Sequence, residues 1–143
     1  MSEPGGYSGT PLAQKLGLRD GQRALFIELP ASLDELASAR GFAEASQITV
    51  EQLGDTAPGY DFVHLFTTAR AVLERLAQPL MALIARDGMI WVSWPKKASK
   101  VVTDITEDVI REIILPIGLV DVKVCAVDGV WSGLKLVIRK ELR

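Results

Sequence analysis

The segment Met89–Lys100, MIWVSWPKKASK, joins an apolar strand pattern to a short run of lysines. Apart from Ser93, its first six residues are apolar or aromatic, a composition that favours a strand inside a sheet. A proline and then three lysines in five residues follow. We therefore expect a buried strand whose carboxyl end opens into a cationic loop.

On the amino-terminal side, three further runs predict strands, at residues 23–29, 47–53 and 60–68. A short helix is expected from Thr10 to Gly17, since Thr10 can cap it and Pro11 suits its first position. Ser32 and Glu35 form a capping-box pattern, which predicts a second helix over residues 33–40.

On either side of the opening segment, helical spacing of apolar residues predicts two more helices. The first is capped by Thr67 or Thr68, extends to Ile84, and is expected to kink or split at Pro79. The second starts at Asp104 or Thr106. Residues 119–127 and 131–140 then form two strands around Asp128-Gly129, a dipeptide typical of tight hairpins.

This alternation predicts an α/β fold, with a three-layer, mostly parallel twisted sheet, helices on both faces and a C-terminal antiparallel hairpin. A chain of 143 residues is long enough for one domain. We assign that domain to residues 10–143 and expect residues 1–9 to be flexible.

The composition excludes several classes of site. One cysteine, Cys125, permits no internal disulfide, and with one histidine, His64, no metal site is expected. The net charge of −2 disfavours nucleic-acid binding unless a local basic patch exists. No apolar run is long enough to span a membrane, and the N-terminus lacks a secretory signal. We expect a cytoplasmic protein.

The order of elements over residues 60–139 resembles the later part of class I S-adenosylmethionine-dependent methyltransferases. This Rossmann-like resemblance implies a loop after the first strand with an acidic residue followed by glycines, which let backbone approach the cofactor. Here Glu28 matches the acid, Glu51 matches a ribose-binding acid, and Pro30 and Ser32 stand where glycines are expected. S-adenosylmethionine is therefore a conceivable but disfavoured cofactor.

Longer motifs carry a second resemblance. Four stretches are similar, in this order, to those of an uncharacterised family of short bacterial proteins, a domain of unknown function: YSGTPLAQKLGL, YDFVHLF, DGMIWVSWPKKASK and LVDVKVCAVDGVWSGLKLVIRK. This resemblance implies a bacterial origin and brings no activity with it.

The candidate site lies where the carboxyl ends of the parallel strands meet, because ligands of open α/β sheets bind there. Lys96, Lys97 and Lys100 would supply positive charge for a phosphate or carboxylate group. The other candidate ligand-binding residues are Ser93, Trp94, Thr67, Thr68, Ser99 and Glu28. In the competing interpretation the lysines are merely solvated, and the tryptophans, His64 and Cys125 belong to the core.

Two functions follow. The first is a non-catalytic binding or regulatory module, with a protein partner or a homodimer formed through an edge strand or the hairpin. The alternative is a binder or enzyme acting on a nucleotide or phosphorylated small molecule at the lysine rim. The sequence does not decide whether there is catalysis.

Overall fold

The computed structural model describes residues 11–143. It contains six strands and three α-helices: β1 Arg23–Ile27, β2 Glu44–Ile48, β3 Tyr60–Phe66, β4 Ile84–Pro95, β5 Leu119–Ala126, β6 Trp131–Ile138, α1 Leu12–Leu16, α2 Arg70–Leu83 and α3 Glu107–Ile114. Short 3₁₀ segments occupy residues 31–38, 50–55, 97–99, 115–117 and 140–142. The expected flexible segment 1–9, the YSGT motif and the Thr10 cap lie outside the described residues.

The strands form one sheet in the order β2-β1-β3-β4-β6-β5. The first four are parallel to one another, and β6 lies antiparallel between β4 and β5. This arrangement confirms the predicted α/β fold with a C-terminal antiparallel hairpin. Within residues 11–143, no helix is long and apolar enough to cross a membrane.

Strand β4 is covered on both faces. Ile90, Val92 and Trp94 point to one face, where they share a core with α2 and α3. Trp91 points to the opposite face, which is covered by α1 and the 3₁₀ segment 31–38. We call these the α2 face and the α1 face. The period-2 geometry of a strand predicts this separation of the two tryptophans, and the structure confirms it.

The indole of Trp91 fixes α1 against the sheet. Its Nε1–H donates a 2.8 Å hydrogen bond to the carbonyl of Leu16, and Trp91 is completely buried. A buried indole N–H needs such an acceptor. Gly17 then ends the helix in the left-handed conformation, with φ of 83°. One ring thus supplies apolar contact and the bond that positions the end of α1.

The predicted helix over residues 33–40 is wrong in type. Residues 31–38 are 3₁₀, and neither Pro30 nor Ser32 provides a side-chain cap bond. Leu33 and Leu36 are the buried residues, and their spacing of three suits a 3₁₀ turn. The capping box occurs instead at Thr49, which precedes the 3₁₀ segment 50–55.

Helix α2 differs from the prediction at its start, and at Pro79 the predicted split does not occur. It runs through Pro79 without splitting. Its start is not capped by a threonine side chain, because the N–H of Arg70 donates to the carboxylate of Asp104 at 2.7 Å. The cap therefore comes from a distant part of the chain, where local sequence patterns cannot reveal it. Helix α3 does start at Thr106, whose hydroxyl accepts from Val109.

The hairpin between β5 and β6 is wider than the Asp128-Gly129 signal predicts. Four residues, 127–130, join the strands. The Asp128 carboxylate accepts from the N–H groups of Val130 and Trp131 at 2.9 and 2.8 Å. Asp128 therefore closes the turn with its own side chain, as aspartates do in Asx turns.

His64 and Ser93 form a polar pair inside the α1 face. Both are completely buried, and His64 Nε2 lies 2.7 Å from Ser93 Oγ. The imidazole stacks on Phe66 at 4.1 Å, and its Nδ1 has no partner among the described residues. Burial lowers the pKa of His64 from 6.5 to about 3. The ring is therefore neutral at physiological pH and packs as part of the core.

This pair predicts an acid-sensitive fold. Between pH 6.5 and about 3, the unfolded chain binds a proton at His64 that the folded chain does not. The free energy of unfolding should therefore fall by about 2 kcal/mol between pH 7.5 and pH 5.0 from this residue alone. Urea unfolding of the protein and of a His64→Gln variant at both pH values checks this. The variant should lose about 2 kcal/mol less than the parent, and equal losses in the two proteins would contradict the prediction.

Candidate functional site

The chain changes direction across the sheet at β1. It runs from β1 outward to β2 and then returns to place β3 on the other side of β1. Crevices form at the carboxyl ends of strands at such a switch point. Here the structure has a cleft of about 340 Å³, lined by Glu28, Val50, Glu51, Phe66, Thr67, Thr68, Val72, Arg75 and Trp131. We call it the carboxyl-edge cleft.

Glu28 occupies an unusual backbone conformation at the mouth of this cleft. Its φ is 59°, in the left-handed region that glycine adopts easily and other residues rarely. Its N–H donates to the carbonyl of Ile48 at 2.9 Å, and its carboxylate accepts from the N–H of Val50 at 2.8 Å. Glu28 therefore ties the end of β1 to the residues that follow β2, and these bonds hold the strained turn.

The walls of the cleft differ in chemistry. On the α1 face, Phe66 and Trp131 meet edge to face, with ring centroids 5.3 Å apart. On the α2 face, Val72 and Arg75 project from the first turns of α2. Arg75 is exposed and, within residues 11–143, has no ion-pair partner; Glu51 is exposed opposite it. The cleft thus combines an aromatic side, a carboxylate and a guanidinium.

A second groove continues from the cleft. It has a volume of about 420 Å³ and shares Val50, Glu51 and Arg75 with the carboxyl-edge cleft. It runs between the 3₁₀ segment 50–55 and α2, and its further lining residues are Leu53, Gly54, Leu76 and Pro79. A ligand in the cleft therefore has a more apolar extension available on one side.

The loop of residues 96–100, which we call the lysine loop, lies at the same edge of the sheet but outside the cleft. The N–H of Lys96 donates to the carbonyl of Val130 at 2.7 Å, which holds the loop against the β5–β6 turn. Further on, Thr103 donates to the carbonyl of Thr68 at 2.6 Å. Neither Lys97 nor Lys100 lines the cleft, and no lysine of the loop has an ion-pair partner within residues 11–143.

The remaining predicted residues divide into two groups. Glu28, Thr67 and Thr68 line the cleft, and the hydroxyl of Thr67 also accepts from the N–H of Ala69 at 3.2 Å. Ser93 and Trp94 do not reach it. Ser93 is buried against His64, and Trp94 packs in the core of the α2 face.

Ser99 has a local role, because its hydroxyl donates to the carbonyl of Lys96 at 2.7 Å. It shapes the lysine loop.

Sequence reasoning missed five lining residues: Val50, Phe66, Val72, Arg75 and Trp131. One signal was present for two of them. Val72 and Arg75 are three residues apart near the start of α2, so they share the side of the helix nearest the end of β3. Phe66 directly precedes Thr67 at the end of a predicted strand, so it had the same positional signal as Thr67. Val50 and Trp131 carried no comparable signal, since their positions depend on how β2 and β6 are placed. Within the same described residues, no group of three or more acidic, histidine or cysteine side chains is placed to hold a metal ion.

Comparison with known proteins supports the fold. No protein-family model matches the chain, and no curated protein matches it significantly. Among solved structures, the magnesium protoporphyrin IX methyltransferase of Synechocystis with bound SAM aligns with a TM-score of 0.62 and 15% identity, over 90% of this chain and 74% of that one. A SAM-dependent methyltransferase from Aquifex aeolicus aligns with the same score and identity, over 89% and 87%.

A third similar structure, the fibrillarin pre-rRNA processing protein of Methanococcus jannaschii, has a TM-score of 0.59 and 11% identity, over 85% of this chain and 68% of that one. At such identities the likeness is one of fold. The chain has the Rossmann-like fold of class I S-adenosylmethionine-dependent methyltransferases.

The first turn does not fit S-adenosylmethionine in the way that this fold implies. The acidic residue is present as Glu28, but Pro30 and Ser32 stand where glycines would let the backbone approach the cofactor, and Pro30 has no N–H to donate. The segment that follows is 3₁₀ rather than an α-helix. The first turn therefore offers S-adenosylmethionine neither the close backbone approach nor the α-helix N-terminus that this fold implies.

The conformation of Glu28 makes a testable prediction. Replacement by alanine or by glycine removes the bond to Val50 equally, but only glycine adopts φ of 59° without strain. Glu28→Gly should therefore be more stable than Glu28→Ala by about 1 kcal/mol, measured by urea unfolding. At Glu35, in an exposed 3₁₀ turn, the order should reverse. An alanine variant of Glu28 as stable as the glycine variant contradicts the strained conformation.

Proposed function

We propose that the protein is a non-catalytic binding module that holds a small hydroxylated molecule with a flat ring, of nucleoside type, in the carboxyl-edge cleft. The observation that carries this proposal is the convergence at the switch point of Glu51, Arg75, two threonine hydroxyls and an aromatic wall. Carboxylates and hydroxyls bond sugar hydroxyls, and aromatic rings stack on planar groups. A volume of about 340 Å³ suits a small ligand.

The positions of the reactive side chains support the proposal that the module is non-catalytic. His64 is buried, and its pKa is held near 3 by that burial, so it is a poor general base for a ligand in the cleft. Cys125 lies on β5, and burial raises its pKa. A cysteine nucleophile needs the opposite shift and a place beside the ligand. The cleft itself offers groups suited to recognition.

For a partner of this module we propose the edge of the sheet at β5. It is an edge strand, and Val122 and Val124 are 52% and 51% exposed along it. An edge strand leaves backbone N–H and C=O groups unpaired for another chain, and beyond the bulge at residues 121–123 the exposed side chain of Val124 adds apolar contact there. The proposed partner is therefore a second copy of the chain or another protein that adds a strand at β5.

The ligand site can be tested by filling the cleft. Thr68 is exposed and lines it, so Thr68→Trp should obstruct the cleft without removing a core contact. We expect adenosine, S-adenosylmethionine and nucleotides, screened by thermal shift and isothermal titration calorimetry, to include a ligand whose affinity falls at least about tenfold in this variant. The matched control is Ala82→Trp, at an exposed position near the other end of α2.

Equal affinity of the parent protein and Thr68→Trp for the bound compound places the ligand elsewhere. Methyl transfer from S-adenosylmethionine to any acceptor in a radiolabel assay would show that the module is catalytic.

The second candidate is a binder or enzyme for a nucleotide or phosphorylated small molecule at the lysine rim. The observation in its favour is that Lys96, Lys97 and Lys100 have no ion-pair partner within residues 11–143 while lying beside the cleft. Lysine is a common binder of phosphate. In this case a phosphate group would sit on the rim, with the rest of the ligand directed toward Thr68.

If the ligand binds at the lysine rim, a different variant should lose affinity for it. The double change Lys96→Ala with Lys97→Ala should weaken phosphorylated ligands by at least about tenfold and leave their unphosphorylated counterparts unaffected. Thermal unfolding of the double variant should match the parent, since neither side chain is in an ion pair. Undiminished binding of ATP by the double variant contradicts this candidate.

The finer assignments from the sequence stay predictions. They are membership of the uncharacterised family of short bacterial proteins, a bacterial origin and a cytoplasmic location. All three are compatible with a small binding module on a Rossmann-like sheet.

A further inference from the structure

Strand β5 presents free backbone groups at the end of the sheet. It is the last strand in the order, with β6 on its inner side. Just after β5, the N–H of Val127 donates to the carbonyl of Trp131 at 2.9 Å, so residue 127 faces β6. Because the backbone groups of consecutive residues in a strand point to alternate sides, those of Val124 and Ala126 point outward. Another strand can therefore bind at these two residues.

Along this edge, the exposed side chains of residues 124 and 126 are apolar and lie on the α2 face. Val124 is the ladder partner of Leu134, which belongs to the core of that face, and Val124 is 51% exposed. Ala126, two residues further on, points to the same face and is also exposed. A strand added beside β5 would therefore meet apolar groups on the α2 face.

On the α1 face, Lys123 and Lys135 place two like charges side by side. They are direct partners in the ladder, and Lys135 is also the partner of Trp91. Like charges directly opposite destabilise a sheet, because their Cβ atoms lie only about 5 Å apart. Burial lowers the pKa of Lys135, and the charge of Lys123 lowers it further. Within residues 11–143 neither lysine has an ion-pair partner, so the repulsion is not neutralised there.

The acidic residues of neighbouring elements have other contacts or other positions. Asp121 is bonded to Arg111 at 3.0 Å, and its ladder register places it on the α2 face. The carboxylate of Asp128 is turned into its own loop. Three more acidic residues line a cleft with Arg19 near the start of β4: Asp20, Asp61 and Asp87. An acid opposite Lys123 on the free side of β5 therefore has to come from a partner.

The next position of β5 on the α1 face is also surrounded by positive charge. Cys125 packs against the core of that face. Burial raises the pKa of its thiol, and the charges of Lys15, Lys123 and Lys96 oppose that rise. The backbone of Lys96 is held beside the hairpin turn by its 2.7 Å bond to Val130. Two successive side chains of an added strand, opposite Lys123 and opposite Cys125, would therefore meet cations.

We propose that the β5 edge binds an extended segment of another protein in which acidic and apolar side chains alternate. The acidic side chains lie on the α1 face, opposite Lys123 and Cys125, and the apolar ones pack on Val124 and Ala126. In strand addition, main-chain hydrogen bonds provide affinity and alternate side chains provide specificity. The four residues 123–126 span about 13 Å. The bulge at residues 121–123 and the hairpin turn bound this stretch.

The charges favour such a segment over a second copy of the chain. When two copies of a strand pair antiparallel about a two-fold axis, opposite residues share a face of the sheet. Lys123 would then lie opposite residue 123, 125 or 127 of the second copy, and none of these is acidic. Asp121 is the acidic residue of β5, and it lies on the α2 face. A second copy would therefore leave the lysine pair without a counter-charge.

This occupant deepens the proposed function, in which β5 receives a partner, and it requires no ligand in the carboxyl-edge cleft. The test is binding of three fluorescein-labelled peptides to the full chain, measured by fluorescence anisotropy in about 50 mM salt, where charge screening is weak. The first peptide alternates glutamate and valine, the second alternates lysine and valine, and the third has the composition of the first in two separate blocks. The first should bind at least about tenfold more tightly than either of the others, because two acid–lysine contacts add to the backbone bonds.

Reversal of one charge tests the side-chain contribution. Lys123→Glu should weaken binding of the first peptide by at least about tenfold. Its thermal unfolding should occur at a temperature equal to or above that of the parent, because an opposite-charge pair with Lys135 replaces a like-charge pair. The matched control is Arg86→Glu, which makes the same change at an exposed position near the start of β4 and should leave the affinity unchanged.

Removal of one N–H tests the backbone contribution. Val124→Pro removes an outward N–H and retains those that face β6, so the fold should persist while the first peptide no longer binds. The matched control is Gln47→Pro on β2, the other edge strand. The carbonyl of Ile48 accepts from Glu28 after β1, so the N–H of Gln47 points outward. This variant should bind the first peptide as the parent does.

Three results overturn the proposal: no binding of the first peptide at about 1 mM, equal affinity for the lysine peptide, or undiminished binding by Val124→Pro. A dimer in sedimentation that Val124→Pro converts to a monomer assigns the edge to a second copy and also overturns it. Thr68→Trp should bind the first peptide normally, so a failure at the β5 edge is distinguishable from a failure at the carboxyl-edge cleft.

Discussion

Both faces of strand β4 are apolar and both are buried. The rest of the structure depends on how these two faces are covered. Trp91 and Trp94 are three residues apart and lie in different cores. Burying a large aromatic side chain contributes a few kcal/mol, and losing one costs as much. The chain therefore places two layers against β4. The layer on the α2 face is built of full helices, whereas the layer on the α1 face depends on a five-residue helix fixed by the indole of Trp91.

That arrangement also explains where a ligand can sit. With β4 and β3 in the centre, β1 and β2 extend the sheet on one side, and the reversal at β1 opens the carboxyl-edge cleft. The turn after β1 is short of glycine, so Glu28 itself adopts the left-handed conformation, and its bond to Val50 stabilises the strained backbone. Strain of this kind persists where surrounding contacts determine it, and it concentrates at binding sites. Glu28 thus both stabilises the glycine-poor first turn and lines the cleft.

The elements that could be predicted from sequence are those whose signal is local and repeated. Strands β3 and β4 and helix α2 carry apolar side chains at a regular period, and their type and order were predicted. The failures involve contacts between distant residues. Asp104 caps α2 from 34 positions away. The strand predicted over residues 47–53 lies instead at Glu44–Ile48, and residues 50–55 form a 3₁₀ segment.

The site residues divide in the same way, into those placed by a local signal and those placed by contacts with distant residues. Glu28, Thr67 and Thr68 follow strands and could be placed at the edge by topology alone. Ser93 follows the same rule of position along β4, yet its side chain turns inward to His64, because neighbouring strands offer a buried hydrogen-bond partner. Position at an edge can be read from sequence, but the direction of a side chain depends on its neighbours across the ladder.

Contacts between distant residues also decide where the charged side chains lie. Lysines that are neighbours in the sequence are therefore not one cluster in the structure. The lysines of residues 96–100 look like a single cluster in the chain, but the bond from Lys96 to Val130 places the first of them beside the hairpin. The ladder pairing of Lys123 with Lys135 then extends positive charge along the α1 face, away from Glu28 and Glu51 at the carboxyl-edge cleft. A ligand in the cleft would therefore meet Glu28, Glu51 and Arg75, whereas the pair Lys123 and Lys135 lies on the α1 face at the other side of the sheet from α2.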